Sequence, residues 1–243
     1  MNNIFLSVII PAYNEESRLP SYLTGILVYL EQQGIIYEIL VVDDGSSDAT
    51  AEVVARFTQA NGRVRLIRLP RNRGKGYAVR TGMLEASGRL RLFTDADGAT
   101  PIRELERLQI AIDTGADVAI ASRALSDVAC TVNAHLHRKV IGAVFNFIVT
   151  TFTVKGIHDT QCGFKLFSAD AAHAVFPLQR INDFGFDVEV LFLCQRKGYR
   201  ITEVPVNWTD VAGSKVNLIR DSLRMFADIF KIRFLDLTGA YRH

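Results

Sequence analysis

The chain has 243 residues, 49% of them hydrophobic, which is enough for one large α/β domain or two small ones with a sizeable core. Its 28 Lys+Arg against 26 Asp+Glu leave a net charge of +2, which excludes a strongly basic protein of the kind that coats nucleic acid. Three cysteines, Cys130, Cys162 and Cys194, are odd in number and form no C-x-x-C, so they suggest neither a disulfide framework nor a zinc site, and a reducing cytoplasm is expected.

The opening "MNNIFLSVIIPAYNEE" has too short an apolar run and no basic segment before it to be a signal peptide; residues 4–10 read as a first strand and the chain as not exported. Five β-rich runs follow in order, "LSVIIPAY", "YEILVVDDG", "RVRLIRLP", "LRLFTDAD" and "ADVAIASR". Helical patterns over residues 16–33, 48–60, 75–86 and 101–114 fill the intervals, which predicts parallel βαβ units. Near-continuous apolar strands such as "EILVV" fit a sheet covered on both faces, where ligands bind beyond the carboxyl ends of the strands. Asp43, Asp44, Asp95 and Asp97 fall at such ends.

Farther on, "RKVIGAVFNFIVTTFTVK" at residues 138–155 has fifteen uncharged residues between Lys139 and Lys155. Those would make about 22 Å of helix against a bilayer core of roughly 30 Å, so the stretch does not span; it reads as a buried helix or one lying in a membrane interface. No repeat, low-complexity run or Pro/Gly linker interrupts the chain, so residues 1–243 read as one domain.

Three motifs carry chemistry. In "VVDDGSSDAT" two acids precede a glycine turn; they either cap the next helix or accept hydrogen bonds from a nucleobase N–H and a ribose hydroxyl. "NRGKG" places Lys75 between two glycines just before a helix, an arrangement that favours an anion but has neither the P-loop nor the G-x-G-x-x-G spacing. "DAD" puts Asp95 and Asp97 on one side of an extended chain with Ala96 behind, which suits a hard cation bridging a diphosphate.

Together with these, "SVIIPAYNEE", "RGKGYAVRTG", "DADGAT", "SR" at Ser122-Arg123, "DTQCGFKLF", "FDVEVLF", "EVPVNW", "GSK" and "TGAY" occur in order over nearly the whole chain. The sequence resembles the family 2 glycosyltransferases of the GT-A fold, and within them the enzymes that glucosylate dolichyl and other polyprenyl phosphates. The resemblance implies an α/β, Rossmann-like fold with a mostly parallel central sheet and helices on both faces. Residues 1–122 would form a nucleotide-sugar-binding half and residues 123–243 an acceptor-binding half.

It also implies inverting transfer of a hexose, glucose from UDP-glucose, to a polyprenyl phosphate. Pro11, Tyr13, Glu15, Asp43, Asp44, Lys75, Asp95 and Ala96 would bind the nucleotide sugar, and Asp95 and Asp97 would hold Mg²⁺ or Mn²⁺. Related lipid-phosphate mannosyltransferases carry a glutamine two residues after the D-x-D as a further metal ligand; here that position is Ala99.

A phosphate acceptor is already ionised and needs cations rather than a base, so Arg123, Arg138 and Lys215 are assigned to it. Asp97, Arg123 and Asp187 form the catalytic set, Asp187 being the base candidate if the acceptor were a hydroxyl. The alternatives are a GT-A enzyme using another nucleotide sugar or a hydroxyl acceptor, a sugar-1-phosphate nucleotidyltransferase, whose Gly-rich N-terminal signature is absent, and a non-catalytic membrane module.

The C-terminal "NLIRDSLRMFADIFKIRFLDL" puts Leu218, Ile219, Leu223, Phe226, Ile229 and Phe230 at helical spacing, with Arg220, Arg224, Lys231 and Arg233 beside them. It predicts an amphipathic helix that either packs its apolar stripe onto the sheet or, the reading taken here, lies on an anionic membrane surface, placing the protein peripherally on a cytosolic face.

Overall fold

The computed structural model describes residues 4–125, 127–133, 153–211 and 218–242. Strand β1 (Leu6–Ala12) is buried along its whole length because it is covered on both sides: Leu6, Val8, Ile10 and Ala12 enter one core layer and Ile9 the other. The same alternation holds in β2 (Tyr37–Asp43), where Tyr37, Ile39 and Val41 share the first layer and Leu40 the second.

Helices α1 (Leu19–Gln33), α2 (Thr50–Ala60) and α4 (Leu105–Asp113) cover the first layer with Leu23, Ile26, Leu30, Val54 and Leu108. Helix α3 (Lys75–Glu85) covers the second with Val79 and Met83. Strands β3 (Val64–Arg68), β4 (Leu90–Thr94) and β5 (Val118–Ser122) complete the expected series. The first helix starts at Leu19 rather than at residue 16 because Glu15 and Arg18 form a turn closed by their own ion pair.

The seven strands run in the order β3-β2-β1-β4-β7-β5-β8, where β7 is Phe164–Ser168 and β8 is Ile201–Pro205. All pairings are parallel except those of β7, which is antiparallel to both β4 and β5. A second pair, β6 (Val132–Asn133) with β9 (Trp208–Thr209), lies outside the main sheet.

Two features of this topology make a site. The chain turns one way from β1 to β2 and β3, then crosses back to β4 beside β1, so a switch point opens between the carboxyl ends of β1 and β4. There β1 stays paired to β2 as far as Ala12, whereas its pairing with β4 ends at Ile9, and the two strands part. Because β7 runs backwards, the loop before it reaches the same edge as the carboxyl ends of β4 and β5.

Helix α5 (Ala169–Val175), α6 (Phe186–Arg196) and α7 (Leu218–Leu237) pack on the second layer through residues such as Ala171, Leu191, Ile229 and Ile232. Ile229 therefore belongs to the core and not to the outward stripe expected from the sequence. Phe226 and Phe230 do face outward, 39% and 51% exposed, and Phe234 and Leu237 extend the same stripe. Among the described residues no helix is long and apolar enough to cross a membrane. Of the apolar stretch at residues 138–155, residues 138–152 lie outside the described residues, and Val154 is buried in the second layer.

Candidate active site

The site is built where β1, β2, β4 and β5 end. At the end of β2, Asp43 is fully buried; its Oδ1 accepts the Ser46 amide at 2.9 Å, while Oδ2 accepts no hydrogen bond among the described residues and meets Arg68 Nε at 3.5 Å. A buried carboxylate oxygen in that condition is a strong acceptor waiting for a donor. A cavity of about 310 Å³ lined by Gly45, Ser46, Arg68, Leu69 and Pro70 lies in the same corner. Pro11 is buried in β1, and Tyr13 beyond it is 39% exposed.

Neighbouring Asp44 is already engaged. Its oxygens accept the amides of Arg73 at 2.8 Å and Gly74 at 2.9 Å, and burial pushes its carboxyl above the usual range. Its side chain thus ties the "RGKG" turn to the end of β2. Glu15 is committed in the same way, to Arg18, whose Nε lies 2.7 Å from Glu15 Oε2.

Gly74, at φ 100°, has no room for a side chain, because a Cβ there would overlap the carbonyl of Asn182 and the carboxylate of Asp183. The turn so held starts α3 and aims Lys75 across the switch point at β4. Its Nζ lies 2.6 Å from Asp95 Oδ1 and faces the rings of Phe93 and Phe184 at 5.3 and 5.9 Å. Burial pulls the Lys75 ammonium down, but Asp95 and then Asp187 outweigh it and hold its pKa above the ordinary value.

Asp95 and Asp97 follow directly on β4 with Ala96 between them, its methyl packed into the first core layer. Asp97 Oδ1 accepts the Ala99 amide at 3.0 Å, and burial together with the charge of Asp95 pushes the Asp97 carboxyl up. Two hard carboxylates crowded until one resists ionisation fit Mg²⁺ or Mn²⁺, which bind through one or two carboxylates and substrate phosphates. Gly163 completes the cradle: a Cβ on it would overlap the Asp95 carboxylate. No third acidic, Cys or His side chain joins the pair among the described residues.

Arg123, just past β5, donates through Nε and Nη2 to both oxygens of Asp159, at 2.7 and 2.8 Å, and its own amide bonds the same carboxylate at 2.9 Å. Its guanidinium stacks over Trp208 at 5.4 Å. Among the described residues these side-chain bonds use two of the five N–H donors of the fork. Arg138 and Lys215, the other two cations expected at the acceptor, lie outside the described residues.

Asp187 is held in a buried ion pair. It lies in the first turn of α6, 3% exposed, 2.5 Å from the ammonium of Lys165 in β7. Glu189, two residues on, points elsewhere, as helical geometry requires, accepting the amides of Arg180 and Ile181 and the Tyr241 hydroxyl at 2.6 Å. Sequence reasoning missed Lys165, Asp159 as the Arg123 partner, and Gly163. All three sit in or beside "DTQCGFKLF", whose charges in an apolar setting were the available signal.

The chain matches the model of glycosyl transferase family 2 over residues 7–176. It is 40% identical over 256 residues to dolichyl-phosphate beta-glucosyltransferase of Dictyostelium discoideum, which covers 100% of this chain and 78% of that protein. Identity to the enzyme of that name from Drosophila melanogaster is 42% over 252 residues, with 98% and 77% covered, and to the Homo sapiens one 40% over 254 residues, with the same coverage.

Among solved structures, mannosyl-3-phosphoglycerate synthase from Rubrobacter xylanophilus aligns with a TM-score of 0.72 at 17% identity, over 97% of this chain and 75% of that one. Glucosyl-3-phosphoglycerate synthase from Mycobacterium tuberculosis in complex with Mn²⁺, uridine-diphosphate and phosphoglyceric acid aligns at 0.70 and 20%, over 96% and 78%. At such identities these structures establish a shared α/β fold.

Proposed function

Since the chain belongs to glycosyl transferase family 2, we propose that it moves glucose from UDP-glucose onto dolichyl or another polyprenyl phosphate with inversion at the anomeric carbon. The names of its full-length relatives support the substrate pair, and Mn²⁺ bound with UDP-glucose in a structural neighbour supports a divalent cation. The observation that carries the reading is the approach of Lys75 to Asp95, beside Asp97, at the mouth of the β1/β4 crevice.

Asp95 and Asp97 would hold Mg²⁺ or Mn²⁺, which when bound stabilises the charge that grows on a departing diphosphate. Lys75 adds a positive charge at the same place, fixed there by the Asp44 tether of its turn. Asp43 would accept a hydrogen bond from the base or ribose through its unused Oδ2, beside Pro11 and Tyr13.

On the acceptor side, Arg123, with Arg138 and Lys215, would position an ionised phosphate, which attacks without a base. The ion pair that occupies Asp187 favours this over a hydroxyl acceptor, for which a free carboxylate would be wanted. Residues 1–243 would act as one domain, 1–122 binding the nucleotide sugar and 123–243 the acceptor.

A polyprenyl phosphate keeps its head at a bilayer surface, so the enzyme must meet it there. The outward stripe of α7 flanked by Arg224, Lys231 and Arg233 would lie on the cytosolic face of an anionic membrane. Incubation with UDP- and GDP-sugars and a polyprenyl phosphate, with the lipid product identified by mass, tests the reading. A hexosyl-phospholipid formed from UDP-glucose in preference to the others is expected; transfer only to a hydroxyl acceptor would overturn it.

A further inference from the structure

Lys165 is the least expected charge in this fold. It is the second residue of β7, in register with Phe93 of β4 and Ile120 of β5, and is 1% exposed. An ammonium taken out of water at the centre of a sheet costs several kcal/mol, offset only by close partners. Lys165 has two: its Nζ donates to Asp187 Oδ1 at 2.5 Å and to the Cys162 carbonyl at 2.5 Å.

Replacing both members of such a pair by apolar residues is often neutral or stabilising, so stability does not account for it. Its location does. Lys165 Nζ lies 5.6 Å from the centre of the Phe93 ring, and Lys75 Nζ lies 5.3 Å from the centre of the same ring. Two ammonium groups gathered around one ring repel, and Asp187 supplies negative charge beside that ring: it lies 2.5 Å from Lys165 Nζ and follows Phe186, whose own ring packs against Phe93 at 5.7 Å. The other ammonium, Lys75, has Asp95 at 2.6 Å. Through the Cys162 carbonyl, Lys165 also steadies the segment whose Gly163 backs Asp95 and accepts its amide at 3.0 Å.

We propose that Lys165 and Asp187 are positioning residues for glycosyl transfer: Lys165 pins Asp187 at the head of α6 as a fixed counter-charge that keeps the Lys75 ammonium aimed at the diphosphate. This rests on the assignment of Lys75 to the diphosphate made above. Asp187 then serves the reaction without taking a proton, and a buried lysine in the neighbouring strand is what prevents it from doing so.

The test uses the full chain with two variants, Lys165→Met/Asp187→Leu, which removes both charges, and Asp187→Asn, which keeps the shape and an acceptor for Lys165. Both are expected to melt cooperatively. Turnover should fall about tenfold or more, with the KM for polyprenyl phosphate unchanged, in the range seen when outer-shell partners are removed. Calorimetric affinity for UDP in the presence of Mn²⁺ should weaken about three- to tenfold by the same reasoning.

Wild-type turnover and UDP affinity in either folded variant would overturn the proposal, as would loss of the cooperative melt in both, which would make the pair structural. If only the double variant fails to fold, Asp187→Asn decides. The calorimetry needs no acceptor, so it still judges this inference if the wild-type protein proves to transfer glucose to something other than a lipid phosphate.

Discussion

Gly163 is backed against Asp95 so closely that any Cβ on it would overlap the Asp95 carboxylate, while its carbonyl accepts the Asp95 amide. This contact exists because β7 runs antiparallel beside β4 and brings its leading loop to the end of that strand. Gly163→Ala should therefore displace the Asp95 carboxylate. Gly163 does not have the positive φ that penalises a side chain, so the cost falls on the neighbour and not on the backbone. Expected is a loss of about tenfold or more in turnover and in Mn²⁺-supported UDP binding, with a small change in melting temperature. Unaltered Mn²⁺-supported binding would mean that the Asp95 position is not needed for the cation.

Asp97 offers the complementary case. Burial and the charge of Asp95 hold its carboxyl above the usual range, so neutralising it relieves a repulsion. Asp97→Asn should melt at or above the wild-type temperature while turnover drops about a hundredfold or more, as when a preorganised electrostatic group is lost. EDTA should silence the wild type to a similar degree. Full activity in EDTA, or full activity of the variant, would remove Asp97 from the cation site.

The Arg123–Asp159 pair makes a prediction about acid. Burial alone would raise the Asp159 carboxyl, but the Arg123 fork outweighs it and holds it below the usual carboxylate range. A carboxyl depressed in the fold contributes stability above its unfolded pKa and loses it as pH falls through the folded one. Wild type should thus melt higher than Asp159→Asn near neutral pH, and the gap should begin to narrow as pH falls below the ordinary aspartate pKa of about 3.9 and close only once pH has passed the lower folded one. A gap that stays constant through the acid range would show that the charge of Asp159 contributes nothing. The same variant, with the Arg123 fork released, should raise the acceptor KM more than it weakens UDP affinity.

Most of the first half was legible because its strands are apolar throughout and its acids fall where those strands stop, a pattern that two-sided burial imposes. The second half was read through motifs and not through periodicity. Strand β7 is five residues long with a buried lysine at its second position, so nothing in "FKLFS" announces a strand at the centre of a sheet, still less one that runs backwards.

For the site, the Asp43, Lys75, Asp95 and Asp97 positions could be inferred from residue type and spacing. The partners of the other carboxylates could not: that Asp44 holds the 73–74 amides, Glu15 pairs with Arg18 and Asp187 with Lys165 is seen only in the fold. Hydrophobic spacing in α7 likewise could not separate two apolar faces. Ile229 and Ile232 took the inner one, leaving the aromatics outside.

Those aromatics lead to a prediction about membranes. Phe226, Phe230, Phe234 and Leu237 recur at intervals of four, four and three, which places them on one strip of α7, and the rings of Phe226 and Phe230 meet edge to face at 5.2 Å. Arg224, Lys231 and Arg233 are exposed on the same stretch. An apolar strip of this kind inserts shallowly into an interface, and each nearby cation adds about 1 kcal/mol of attraction to anionic lipid. The protein should therefore bind vesicles containing phosphatidylglycerol more than neutral ones, and salt should weaken the binding without abolishing it. Full burial of a phenylalanine side chain is worth about 1.5–3 kcal/mol, and roughly half of each ring is still available, so Phe226→Ser/Phe230→Ser should weaken vesicle binding about tenfold or more. Turnover with a polyprenyl phosphate in vesicles should fall with it, whereas UDP affinity in solution should not change. Because both rings are substantially exposed, the variant should keep its cooperative melt; if that melt is lost, the strip is part of the core, and if vesicle binding is unchanged, the bilayer is met by some other surface.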